Sequence, residues 1–108
     1  MHIVVLITSK NKQEAQKIAA KLVEDKLIAC ANIIDPIESI FRWEGKVDNT
    51  SESLLILKTR KSLFKRVVKA VKSVHSYSVP EIIALPIIDG SGDYLKWIND
   101  STNIKERS

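Results

Sequence analysis

Two uninterrupted apolar runs, Ile-Val-Val-Leu-Ile at residues 3–7 and Leu-Leu-Ile-Leu at 54–57, constrain the fold of this chain more than any other feature. A strand with one wet face alternates apolar and polar residues, so a continuous run predicts a strand buried on both faces, in the middle of a sheet. Asn11, three residues before Glu14, resembles a capping box, and Ala15, Ile18, Ala19, Leu22 and Val23 recur at helical spacing to about Lys26. Residues 27–43 read as a long half-buried strand, with Ile37, Phe41 and Trp43 on one parity and Glu38, Arg42 and Glu44 on the other. Pro36 cannot donate to a ladder and marks a bulge or a change of partner. Glu44-Gly45 turns the chain back into a long hairpin that stays polar to Glu52. Phe64, Val67, Val68, Val71 and Val74 predict a second amphipathic helix, ended by Pro80. Residues 82–88 form a further strand, which Pro86 restricts to an edge. After a Gly90-Ser91-Gly92 break comes a short helix carrying Tyr94, Leu95, Trp97 and Ile98, and residues 103–108 are expected to fray.

The order βαββαβ plus a C-terminal helix predicts one α+β, ferredoxin-like domain over 1–108, an antiparallel sheet with helices on one face. Composition agrees: 108 residues, 44% apolar and 28% charged, exclude a disordered, collagenous or coiled-coil chain. No apolar run approaches the roughly 18 residues of a spanning helix, so no membrane association is expected. With no signal-peptide pattern after Met1, the expected compartment is the cytosol. Cys30 is the single cysteine, which excludes an internal disulfide and a cysteine-built zinc site. The net charge of +4 is local. Lys58, Arg60, Lys61, Lys65, Arg66, Lys69 and Lys72 crowd into 58–72 without an acid, while the rest of the chain sets ten basic residues against thirteen acidic ones. This reads as a basic, solvated helix face.

Phosphate loops, nucleophile elbows and His-Glu-x-x-His pairs are absent. The polar cluster His75, Ser76, Tyr77, Ser78 and Glu81, between the second helix and the last strand, is where a site is expected. Each candidate also has a structural reading. Trp43 suits a hairpin anchor or intersubunit packing; Cys30 suits a small buried hydrophobe. Lys58, at a strand's end, either snorkels to the surface or meets an anion. His75 either caps the helix or, as an imidazole, holds copper or zinc.

Five motifs then point to a family. Leu27-Ile28-Ala29-Cys30-Ala31-Asn32, Trp43-Glu44-Gly45-Lys46, Leu57-Lys58-Thr59, His75-Ser76-Tyr77 with Val79-Pro80-Glu81-Ile82, and Tyr94-Leu95-Lys96-Trp97 resemble, in order and spacing, the CutA divalent-cation tolerance family. The resemblance implies a PII-like ferredoxin protomer, a tight homotrimer, a role linked to copper and other divalent cations, and no catalytic reaction. Ile7 and Val74 stand where copper-associated members carry a cysteine and a second histidine, which implies modest metal affinity.

Three functions follow in order. The first is a trimeric protein with an intersubunit cleft formed by Cys30, Lys58, His75, Tyr77 and Glu81, with His75 the metal ligand, Trp43 and Trp97 packing between subunits, no required cofactor, and copper or another divalent cation as a candidate ligand. Its variant is a PII-like binder of small anions without metal. The second is an RNA-binding module, disfavoured because neither central run carries an aromatic residue on which bases could stack, so no nucleic-acid partner is expected. The third is an enzyme using His75 and Glu81 as acid and base, for which no nucleophile is evident.

Overall fold

The computed structural model describes residues 1–103; residues 104–108, most of the tail expected to fray, lie outside the described residues. Strand β1 (His2–Ser9) leads into helix α1 (Lys12–Glu24), and β2 (Cys30–Trp43) and β3 (Lys46–Arg60) form the long hairpin. A 3-10 turn opens into α2 (Phe64–Val74), and β4 (Ile82–Pro86) and α3 (Gly92–Ser101) follow. The sheet is antiparallel throughout, in the order β2-β3-β1-β4. Both apolar runs therefore lie in the two central strands. Pro86 lies in the edge strand β4, which ends there rather than at Ile88, although the Ile87 N–H still donates to the His2 carbonyl at 2.9 Å.

Local chemistry explains where α1 begins and ends. The extended Asn11 accepts the Glu14 N–H at 2.8 Å, while the Glu14 carboxylate reaches past Asn11 to the Lys10 N–H at 3.1 Å. At the other end Lys26 turns left-handed (φ 60°), and the Lys26 and Leu27 N–H groups bond the Val23 and Leu22 carbonyls, a Schellman-type stop that swings Leu27 into the core. Val23, expected on the apolar stripe, is 45% exposed, because at 100° per residue it lies beyond the buried line of Ala15, Ile18 and Leu22.

The two central strands are buried on one face only, which corrects the expectation from their composition. Ile3, Val5, Ile7, Leu55 and Leu57 pack with Ala15, Ile18, Leu22, Val67 and Val71 into one core under α1 and α2. Their alternating neighbours Val4, Leu6, Leu54 and Ile56 point the other way and are half-buried. Across the ladders they meet Leu85, Ile83 and Ile34, each about half exposed, so all four strands contribute to a second apolar face. Two helices cover one face of a four-stranded sheet; nothing in the described residues covers most of the other. Only α3 reaches it, at one end, where Arg60 donates to Thr102 Oγ1 at 2.9 Å and His2 bonds Asn99 Oδ1 at 2.9 Å.

The hairpin overhangs this sheet. β3 pairs with β2 along its length, but with β1 only from Ser53 to Arg60. Glu44 (φ 50°) and Gly45 (φ 77°) are both left-handed, the backbone of the tightest hairpin turn. At Asp35-Pro36 the register slips by one residue, Ile34 facing Leu54 and Ile37 facing Glu52, so the expected bulge is present. Because cross-strand partners share a face, the slip moves Ile37, Phe41 and Trp43 to the side of Leu54 and Ile56. The second apolar face therefore continues out to the hairpin tip.

Leu57 is fully buried at the centre of the core. Leu57→Ala is expected to cost about 2–5 kcal/mol, by lost burial and an unfilled cavity. Denaturant unfolding of both proteins measures it.

Candidate functional site

The polar loop after α2 is built around a buried imidazole. The backbone leaves the helix at His75, whose N–H still bonds the Val71 carbonyl at 2.9 Å, and the side chain turns inward to full burial. Its Nε2 lies 2.8 Å from the Thr8 carbonyl, which can only accept, and its Nδ1 lies 3.0 Å from the Tyr77 N–H, which can only donate. These partners assign the neutral tautomer with the proton on Nε2. Glu14 stands 4.0 Å from Nδ1 and accepts the Ser76 N–H at 2.9 Å, tying the loop to α1. Burial pushes the Glu14 carboxyl up, but hydrogen bonds from Ser76 and the Lys10 amide outweigh it and hold the group below its usual range.

Tyr77 stacks at a tilt on the imidazole, with ring centroids 4.8 Å apart, and donates its hydroxyl to Glu52 at 2.7 Å. Glu52 is only 8% exposed. Burial, the bond to Glu52 and the charges of Glu52 and Glu14 push the Tyr77 phenol up to about 12. Alongside, the Ser53 hydroxyl donates to Asp35 at the bulge. Glu81 is exposed at the same end of the sheet, one residue before β4.

Cys30 and Lys58 form a second group. They face each other across the β2–β3 ladder, the Cys30 Sγ lies 3.6 Å from the Tyr94 hydroxyl, and the Lys58 ammonium donates to Asn32. The hydrogen bond to Cys30, with some burial, raises the Tyr94 phenol above its usual value. Tyr94 in turn stacks on Trp97, 5.4 Å between centroids, and Trp97 is 43% exposed on α3. Trp43 is 55% exposed at the hairpin tip. Lys58 lies six positions beyond Glu52 on β3, roughly 20 Å of strand.

The predicted cleft is therefore not assembled within one protomer: His75, Tyr77 and Glu81 lie at one end of the sheet, Cys30 and Lys58 at the other. In this protomer both ring nitrogens of His75 are already bonded and the side chain is closed to solvent, so the imidazole offers no free donor atom here. No group of three His, Cys, Asp or Glu among the described residues is placed to hold an ion. The donors of a single protomer thus do not fit a metal. The weighed His75–Glu81 acid–base pair is not formed either. Sequence reasoning did not single out Glu52, Glu14 or Tyr94 as site residues, reading Glu52 as the end of the polar hairpin stretch, Glu14 as part of a helix cap and Tyr94 as a large residue of the short C-terminal helix. The one signal for Glu52 was Pro36, since the bulge sets that carboxylate against Ile37.

A model of the CutA1 divalent ion tolerance protein family matches residues 3–101. The chain belongs to this family. Over 102 residues it is 45% identical to the divalent-cation tolerance protein CutA of Thermus thermophilus, covering 94% of this chain and 99% of that protein. The chloroplastic CutA of Arabidopsis thaliana is 50% identical over 100 residues. That match takes in 93% of this chain, which spans about half the length of the plant relatives it matches. The solved structure of the periplasmic divalent cation tolerance protein CutA from Archaeoglobus fulgidus superposes with a TM-score of 0.92 at 44% identity, covering 94% and 99% of the two chains. The α+β, ferredoxin-like fold is that of the family, which is described by tolerance of divalent ions and not by a reaction. Relatives carry chloroplastic and periplasmic names, so the family is not tied to the cytosol. No helix among the described residues is long and apolar enough to cross a membrane.

In a Tyr94→Phe variant the one remaining phenol, Tyr77, is expected to ionise at about 12 instead of the ordinary ~10, as read by ultraviolet absorbance. The folded state holds this proton more tightly than the unfolded one. The stabilisation is therefore fully present below about pH 10 and lost as pH rises towards 12. Tyr77→Phe, which strands the buried Glu52 carboxylate, is expected to cost about 1–3 kcal/mol.

Proposed function

We propose that the protein is a homotrimer that answers divalent cations, copper among them, by binding a metal ion or small ligand at the subunit boundary. The observation that carries this reading is the second apolar face, Val4, Leu6, Leu54, Ile56, Ile34, Ile83 and Leu85, running on to Phe41 and Trp43. A patch over four strands is larger than a monomer leaves wet. Three copies closing these faces around a three-fold axis bury it and leave no open end for further addition. Trp43 at the tip, and Trp97 on α3, are then packing residues between protomers. The divalent-ion role rests on what the relatives are called.

In such an assembly the two ends of neighbouring sheets can approach, bringing Cys30 and Lys58 of one protomer towards Tyr77 and Glu81 of the next. Metal binding then belongs to the boundary and not to His75 alone. A second reading, a PII-like site for a small anion without metal, is favoured by the Lys58 ammonium on the open face and by the engaged imidazole. The cytosol remains our proposed compartment, and a lone cysteine suits its reducing conditions.

Native mass spectrometry before and after adding Cu(II), Zn(II) or a nucleotide tests assembly and ligand together. The expected result is a trimer whose bound mass is lost when Ile56→Glu dissociates it, with near-ultraviolet dichroism confirming that the variant folds. A stable monomer at micromolar concentration overturns the reading. Calorimetry of Cu(II) into the wild type and His75→Ala is expected to show the same stoichiometry, because the imidazole is not the donor; a loss in the variant would restore it as a ligand.

A further inference from the structure

The cations of α2 have no counterpart in the reading above. Lys65, Arg66, Lys69 and Lys72 are exposed along α2, and Lys61 precedes them in the 3-10 turn. Among the described residues the ion pairs are Lys21–Asp25, His75–Glu14 and Lys96–Asp100, so none of these five cations is paired. No acidic residue occurs between Glu52 and Glu81.

The arrangement works against the helix itself. Lys61, Lys65 and Lys69 recur at spacing four, where like charges repel, and Lys65 and Arg66 lie in the first turn, at the positive end of the dipole. No side chain caps that end. A merely solvated face would be as soluble with acids interspersed.

We propose that this stripe binds a linear, base-free polyphosphate chain. From Lys61 to Lys72 the row extends roughly 16 Å at 1.5 Å per residue, with a cation on nearly every turn, which matches a line of phosphates. α1, packed beside α2 on the same side of the sheet, carries Lys12, Lys17 and Lys21 against Glu14 and Glu24, with Asp25 and Lys26 just beyond its end, and is close to neutral. A flat anionic membrane would have to rest on both helices, whereas a chain can follow α2 alone. The apolar side of α2 is buried in the core, so no greasy surface remains for insertion. No aromatic residue is exposed along the stripe, so a nucleic acid would find its phosphates matched but its bases without a stacking platform. The stripe lies opposite the second apolar face, so the trimer reading leaves it accessible, but the proposal does not depend on that reading.

The test is a titration of long-chain inorganic polyphosphate into the full protein at several salt concentrations. Binding is expected to weaken steeply with salt, and Lys65→Glu with Lys69→Glu is expected to weaken it by roughly tenfold or more and to flatten the log–log salt slope by about two. Lys12→Glu with Lys17→Glu makes the same change in net charge on α1 and is expected to retain binding within about twofold, since a local stripe and not the net field is responsible. If the charge reversal perturbs folding by circular dichroism, Lys65→Gln with Lys69→Gln replaces it. Equal loss from the α1 pair overturns the proposal. So does binding of duplex DNA, single-stranded RNA or phosphatidylserine vesicles as tight as that of polyphosphate at equal phosphate, and so does the absence of any polyphosphate binding at low salt.

Discussion

Two amphipathic helices can shield one side of a four-stranded sheet, and here they shield one side only. Most of what is distinctive in this protein follows from that shortfall. The core closes over Val5, Ile7, Leu55 and Leu57 with α1 and α2, and the reverse side keeps aliphatic residues that no element among the described residues covers. α3 is too short and too far towards one end to serve. Its contribution is instead to pin one end of the two central strands through Arg60 to Thr102 and His2 to Asn99.

The fold was legible because its signals were independent. Continuous apolar runs marked the central strands, Pro86 marked an edge, Pro36 a bulge and Glu44-Gly45 a turn, and each constrains the backbone for its own steric reason. What misled was the meaning of continuity. An apolar run in a central strand was read as burial on both faces, although the same element order placed helices on one face only, and the second face keeps its apolar residues half-buried. One chain's composition does not distinguish a helix from another protomer as the cover.

The site was legible as a loop but not as a set of contacts. His75 and Tyr77 were singled out for their chemistry, and they do lie together, joined by a hydrogen bond from the Tyr77 N–H to the imidazole Nδ1 and a tilted stack. Their partners Thr8, Glu14 and Glu52 come from three other elements, 25 to 67 residues away. A carbonyl oxygen such as that of Thr8 leaves no trace in residue type. An imidazole that looks like a metal donor in a list of residues is thus a brace between β1 and the loop. Lys58 and Cys30 were placed with it because their motifs occur together, although the strand holding Lys58 carries it to the far end of the sheet.

The bulge at Asp35-Pro36 acts as a phase shift. Side chains in a strand alternate like a two-state wave, and one inserted residue inverts every crest beyond it. Ile37, Phe41 and Trp43 thereby fall in step with the aliphatic reverse of the sheet, and Glu38 and Arg42 fall out of step with it. The distal hairpin can thus vary in length or composition without disturbing the core, provided the offset survives. Removing a single residue there would leave every side chain of the overhang intact and turn its greasy side away from whatever it meets.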